Sequence, residues 1–269
     1  MRVLADIIAA TRRRVRECRS SADLRELDKQ AELHVPRGFR ATLESARGSG
    51  TAIIAELKKA SPSRGLIRSD FDPAKLAREL EQAGAAALSV LTDENFFQGS
   101  LENLRIASAS SQLPSLRKDF IVDEFQILEA RANLADAILL IVAALSREEL
   151  ELLVSRAREL QLDVLCEVHD VAELQTALDT GCDLIGVNCR DLRSFHVDLD
   201  AAFRLAPQIP ANVFAVAESG IESGTDIAKL RAAGYGAFLI GETLMKAPAP
   251  GEALRELLTD AATNVPTSA

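Results

Sequence analysis

Beyond about residue 50 the chain settles into a rhythm that leaves few folds open, a short apolar run followed by an amphipathic helical stretch, eight times over. The runs are Ala52 to Leu57, Ala86 to Leu91, Pro114 to Lys118, Ala137 to Val142, Asp163 to Glu167, Leu184 to Asn188, Val213 to Glu218 and Ala237 to Ile240. Each is rich in aliphatic residues without a polar alternation, the pattern of a strand buried on both faces of a parallel sheet. Between them, apolar residues recur at helical spacing, as in Leu76, Leu80 and Ala83 or Leu150, Leu153, Val154 and Ala157. Gly84, Gly181 and Gly234 stand where helices end in a left-handed cap, and Ser146 with Glu149 forms a capping box. Eight βα units in a chain of 269 residues predict a (β/α)8 barrel, whose usual length is about 250 residues. A doubly wound sheet is the competing fold. Against it, the first run is followed by Lys-Ala-Ser-Pro-Ser and not by a Gly-x-Gly-x-x-Gly turn.

Residues 1–50 fall outside the repeat and are expected to form an N-terminal helical extension packed on the barrel, with helical patterning from Val3 to Cys18. The barrel is expected over 51–261, and 262–269 as a frayed tail. The longest apolar run, Ala135 to Leu145, is too short to span a bilayer and carries Asp136, while the segment from Met1 to Arg19 has arginines where a secretion signal needs an apolar core. A cytoplasmic protein is therefore expected. With 31 basic against 40 acidic side chains and a net charge of −9, neither nucleic acid nor membrane is an expected partner, so an anionic ligand needs a local basic pocket. No extended apolar surface pattern points to an interface, and a monomer is expected. Cys18, Cys166, Cys182 and Cys189 show no Cys-x-x-Cys spacing and the three histidines are scattered, so neither a metal nor a disulfide framework is expected.

In a barrel of this class the active site lies at the C-terminal ends of the strands. Here five of the eight runs finish in Glu, Lys or Asn: Glu56-Leu57-Lys58, Lys118, Glu167, Asn188 and Glu218. A single such residue reads as a solvated strand end, and one Glu–Lys pair as a structural ion pair. Their convergence on one rim reads as a site. Alternation places Glu56 and Lys58 on one face of their strand with Leu57 opposite. Lysines close to other cations are expected to have depressed pKa values and buried glutamates to accept protons, which together allow general acid and general base to coexist. The loops Ser219-Gly220-Ile221 and Ile240-Gly241-Glu242 let backbone N–H groups approach a phosphate, although glycine there also serves a turn alone. Arg190 adds positive charge, and Pro62, Phe97, Phe120 and Leu139 are placed to hold an aromatic or carbocyclic group, with ordinary packing the alternative. His169 reads as a loop residue.

The segment Ile53-Ile54-Ala55-Glu56-Leu57-Lys58-Lys59-Ala60-Ser61-Pro62-Ser63 resembles the signature of the indole-3-glycerol-phosphate synthases. Further similar segments follow in family order. They are Leu88 to Thr92, Phe97 to Ser100, Leu116 to Val122, Ile185 to Leu192, Ala217 to Ile221 and Ile240 to Met245, so the resemblance covers nearly the whole chain. It implies ring closure of 1-(2-carboxyphenylamino)-1-deoxyribulose 5-phosphate to indole-3-glycerol phosphate with loss of carbon dioxide and water, and it implies no cofactor. By matching position, Lys118 resembles the general acid for the substrate carbonyl and Glu167 the base of the dehydration. Lys58 matches the partner of the substrate's anionic end and can also donate a proton, while Glu56, Asn188, Glu218 and Ser219 line the site. Gly220, Gly241 and Glu242 fall on the phosphate loops with Arg190 beside them, and Ser61, Pro62, Phe97, Phe120 and Leu139 fall on the substrate-binding wall.

The chain departs from the family at Leu134, where many members have glycine, at Phe96, where many have tyrosine, and at Glu242, where some have serine. Three alternatives compete with this reading. They are a sister phosphate-binding barrel such as phosphoribosylanthranilate isomerase, a Schiff-base aldolase using Lys118, and a non-catalytic ligand-binding barrel.

Overall fold

The computed structural model describes residues 3–190 and 196–263, so Asp191 and Leu192 of one family-like segment and the tail from 264 onward lie outside the described residues. Eight strands form one closed parallel barrel: β1 (Ala52–Leu57), β2 (Ala87–Leu91), β3 (Ser115–Lys118), β4 (Ala137–Ile141), β5 (Asp163–Val168), β6 (Leu184–Asn188), β7 (Phe214–Glu218) and β8 (Ala237–Ile240). Each pairs with its sequence neighbours, and β8 closes on β1 with Ile53 opposite Phe238. Every strand lies within one residue of the run read from the sequence. Both faces are covered, which is why the runs lack polar alternation: Ile53, Ala55 and Leu57 of β1 pack outward against the helices, while Ala52 and Ile54 fill the barrel interior. The capping box at Ser146 and Glu149 is present, and Gly84, Gly181 and Gly234 have φ of 99°, 75° and 112°.

Three helices precede β1, and they reach both ends of the barrel. The first, α1 (Val3–Ser21), brings Leu4 and Ile7 to the C-terminal rim, where they line the same cavity as Phe97. Next, α2 (Leu24–Leu33) packs Ala31 on Leu128 and Ala132 of the helix Glu124–Ala132. Finally α3 (Phe39–Ser49) closes the opposite end, with Phe39 and Leu43 fully buried beneath the first residues of the strands.

An ion-pair cluster fastens the α2–α3 connection to that lower end. Asp136, immediately before β4 and fully buried, accepts from the Arg37 backbone N–H at 2.7 Å, from Arg37 Nε at 3.0 Å and from the Ser115 backbone N–H at 2.7 Å, with His34 Nε2 at 3.2 Å. Burial raises the pKa of this carboxyl, but the hydrogen bonds from His34 and Arg37 outweigh it and hold the group below its ordinary value. Two residues earlier, Leu134 adopts φ 66°, the left-handed conformation that suits glycine.

Candidate active site

The rim is assembled from side chains that alternation aims inward. On β1, Glu56 and Lys58 share a face, and Lys58 Nζ donates to Glu56 Oε2 at 2.6 Å. Arg117 and Lys118 at the end of β3 diverge. Arg117 turns out of the barrel to Asp119 and the Gln126 carbonyl, whereas Lys118 Nζ turns in to Glu167 Oε2 at 3.1 Å and Glu218 Oε2 at 3.5 Å. Asn188 on β6 hydrogen-bonds Glu167 through its side chain, and its Oδ1 also accepts the Arg190 backbone N–H at 3.0 Å.

Two glycines make room for these carboxylates. A Cβ at Gly241 would collide with the carboxylate of Glu56, and a Cβ at Gly186 would collide with that of Glu218. The glycine of the β8 loop therefore serves the packing of the acidic cluster as well as any ligand, and Gly186 has a reason that no turn signal revealed.

The charge states differ from the sequence expectation in one respect. Lys118 was expected to have a depressed pKa, and burial does push it down, but the carboxylates of Glu167, Glu218 and Glu56 overcome that effect and hold the ammonium well above the usual lysine range. The neighbouring charges are anionic, not cationic, and they decide the sign. Glu167 is likewise opposed by burial but held below its ordinary value by Lys118, His169 and Asn188. Glu218 goes the other way. Burial together with Glu167 and Glu56 outweighs Lys118 and pushes its carboxyl up to about 8, and its Oε1 has no hydrogen-bond partner among the described residues. At neutral pH the site thus holds an ammonium, an ionised carboxylate and a protonated carboxyl within one cluster.

These groups line a cavity of about 600 Å³ together with every other residue expected at the substrate and phosphate sites. One wall is apolar, with Pro62 and Leu139 beside Phe97 and Phe120, whose rings lie 6.4 Å apart at an interplanar angle of 40°. Ser61 lines the same cavity from a small hairpin, Ala60–Ser61 paired with Gly65–Leu66, that the sequence reading did not foresee. At the other end lie Ser219 and Gly220, with consecutive φ values of 66° and 78°, and Gly241. Glu242 is also there, but its side chain is occupied. It pairs with Lys246 Nζ at 2.6 Å, Arg64 Nε at 3.0 Å and Arg190 Nη2 at 3.3 Å, so a carboxylate gathers three cations beside the glycine loops. Sequence reasoning missed Arg64 and Lys246, which sit on ordinary charged stretches, and it missed Leu4 and Ile7 of α1, which line the mouth.

A model of the indole-3-glycerol phosphate synthase family matches residues 4–257. The chain belongs to the indole-3-glycerol phosphate synthase family. Among its relatives, the indole-3-glycerol phosphate synthase of Koribacter versatilis is 57% identical over 255 residues, covering 95% of this chain and 98% of that one. That of Acidithiobacillus ferrooxidans is 49% identical over 260 residues, covering 96% and 99%. Among solved structures, the thiamine phosphate pyrophosphorylase of Pyrococcus furiosus superimposes with a TM-score of 0.60 at 15% identity, covering 81% of this chain and 98% of that one, a likeness of fold alone. Family membership accounts for the signature segment around β1, since Glu56, Lys58, Ser61 and Pro62 all face the cavity, and the match reaches back through α1 to include Leu4 and Ile7.

Proposed function

We propose that the chain carries its family's activity, the conversion of 1-(2-carboxyphenylamino)-1-deoxyribulose 5-phosphate to indole-3-glycerol phosphate with loss of carbon dioxide and water, and that the rim residues divide the work as follows. The observation that carries this reading is the Lys118 ammonium fixed between Glu167 and Glu218 in one cavity with an aromatic wall and two glycine loops. A floppy phosphorylated chain bearing an aromatic ring must be held folded before two of its carbons can join, which is largely an entropic problem. The phosphate is bound at Gly220, Gly241 and the backbone of Glu242, with Arg190 supplying charge. The ring lies against Pro62, Phe97, Phe120 and Leu139, beside Ser61, and its carboxylate meets Lys58, which Glu56 orients. Asn188, Glu218 and Ser219 position the hydroxyls.

Lys118 then protonates the carbonyl oxygen as the ring carbon attacks. Carbon dioxide leaves with restoration of aromaticity; in the dehydration Glu167 takes the proton from carbon while the hydroxyl accepts a proton from Lys58 and departs as water. A Schiff-base role for Lys118 requires the neutral amine, and three carboxylates favour the ammonium instead. The test is to mix the purified protein with the carboxyphenylamino-deoxyribulose phosphate and follow indole fluorescence. Emission that rises with turnover is expected, and substrate left unchanged at saturating concentration would reject the assignment.

A further inference from the structure

His169 lies two residues past Glu167, on the turn that leads into the helix Val171–Asp179. Its Nδ1 is 3.0 Å from Glu173 Oε2, and the same oxygen accepts the His169 backbone N–H at 2.8 Å. Glu173 occupies the third position of that helix, where the Asp170 side chain caps its backbone N–H, so secondary structure fixes its place. On the other side of the ring, Nε2 is buried without a hydrogen bond among the described residues, 3.5 Å from Glu167 Oε1. Lys118 holds Oε2 of the same carboxylate. Glu167 is therefore bracketed, lysine at one oxygen and histidine at the other.

A neutral imidazole has one donor and one acceptor nitrogen, so whichever tautomer it adopts, a lone pair faces a carboxylate. Only the doubly protonated ring suits both Glu173 and Glu167. The titratable groups that face His169 are Glu167 from β5, Glu173 from the following helix and Glu218 from β7, with Lys118 of β3 reaching it only through Glu167. Burial opposes the imidazolium, and these carboxylates outweigh burial.

We propose that His169, held by Glu173, is a positioning residue for Glu167: it sets a cation beside Oε1 at 3.5 Å, while Oε2 is left to Lys118 and the reacting centre. It also keeps a cation beside the carboxylate when Lys118 gives up its proton. The inference rests on Glu167 being the base. In chemical terms, proton transfer from Lys118 to the carbonyl oxygen leaves a neutral amine, and without a second cation Glu167 would be more readily protonated just before it is needed.

The pH dependence of kcat and KM from about pH 5 to about pH 9 separates this role from a structural one, with unfolding midpoints measured on the same preparations. For His169→Gln, the acid limb of kcat should move up by about half a pH unit or more because Glu167 loses a cation, with kcat at neutral pH down about threefold to tenfold and KM little changed. Glu173→Gln keeps an acceptor for the His169 backbone but loses the charge, and should shift the limb in the same direction by less. Should His169→Gln not fold, Glu173→Gln carries the test alone. Acid limbs that superimpose on the wild type in the folded variants would overturn the proposal. Failure of the underlying reading looks different, since Glu167→Gln would then turn over like the wild type, whereas failure of the positioning role alone leaves Glu167→Gln impaired and the His169 and Glu173 variants normal.

Discussion

The two ends of the barrel both bury charge, and they treat it in opposite ways. At the lower end Asp136 is enclosed by donors from Arg37, His34 and Ser115 that serve both of its oxygens. At the rim, Glu218 Oε1 is buried without a hydrogen-bond partner among the described residues, and the Lys118 ammonium faces Glu56, Glu167 and a Glu218 whose carboxyl is pushed up to about 8. A buried polar group that serves stability is normally fully satisfied, while one kept unsatisfied inside an open cavity retains capacity for a ligand. The Asp136 cluster joins the N-terminal helices to the barrel. The rim cluster is electrostatically strained, which fits a site built to meet a substrate.

This contrast can be broken most forcefully from below. Asp136→Ala leaves Arg37 without its carboxylate and should lower unfolding free energy by about 3–5 kcal/mol, measured by urea denaturation, while turnover of the folded fraction stays near wild type. Glu167→Gln should do the reverse, reducing turnover by about a hundredfold with an unfolding midpoint near that of the wild type. If stability fell and turnover held, the division between the two ends would be wrong.

The pH dependence of stability sharpens the comparison. Glu218 titrates at about 8 in the fold against an ordinary 4.5, so the stability it contributes is full below its ordinary value and is lost as pH rises through its folded one. Asp136 is shifted below its ordinary 3.8, so its contribution is full above that value and is lost as pH falls through the folded one. Glu218→Gln should therefore gain steadily on the wild type in urea midpoint from about pH 5 to about pH 8. A constant difference would mean that Glu218 is not held protonated. The smallest effect concerns Leu134, whose φ of 66° strains a non-glycine residue. Leu134→Gly should raise unfolding free energy by about 1 kcal/mol, less the entropy that glycine adds to the unfolded chain, and should leave turnover unchanged.

Much of this architecture was legible because it follows from period and position. Double-sided burial gives continuous apolar runs, and the runs end where the chemistry sits, so Glu56, Lys58, Lys118, Glu167, Asn188 and Glu218 stand out in the sequence. Leu134 could be flagged too, because the resemblance placed glycine there and the backbone is left-handed. Features that depend on the juxtaposition of distant segments were not legible. The sign of the Lys118 shift turns on three carboxylates from three other strands. The bracket of Glu167 by His169 requires knowing that Glu173 returns on the next helix to take the far nitrogen. Glu242 looked like a loop residue at a phosphate site, yet its carboxylate is tied to Arg64, a residue 178 positions earlier in the chain.

The most direct test of the account is turnover and unfolding measured together for Lys118→Ala. Because Lys118 opens onto the cavity, with its side chain 14% exposed, water and a shared proton can compensate Glu167 and Glu218 once it is gone. The account predicts turnover lower by at least about a hundredfold with an unfolding midpoint close to the wild type. Turnover like the wild type, or a collapse of stability that matches the loss of Asp136, would contradict it.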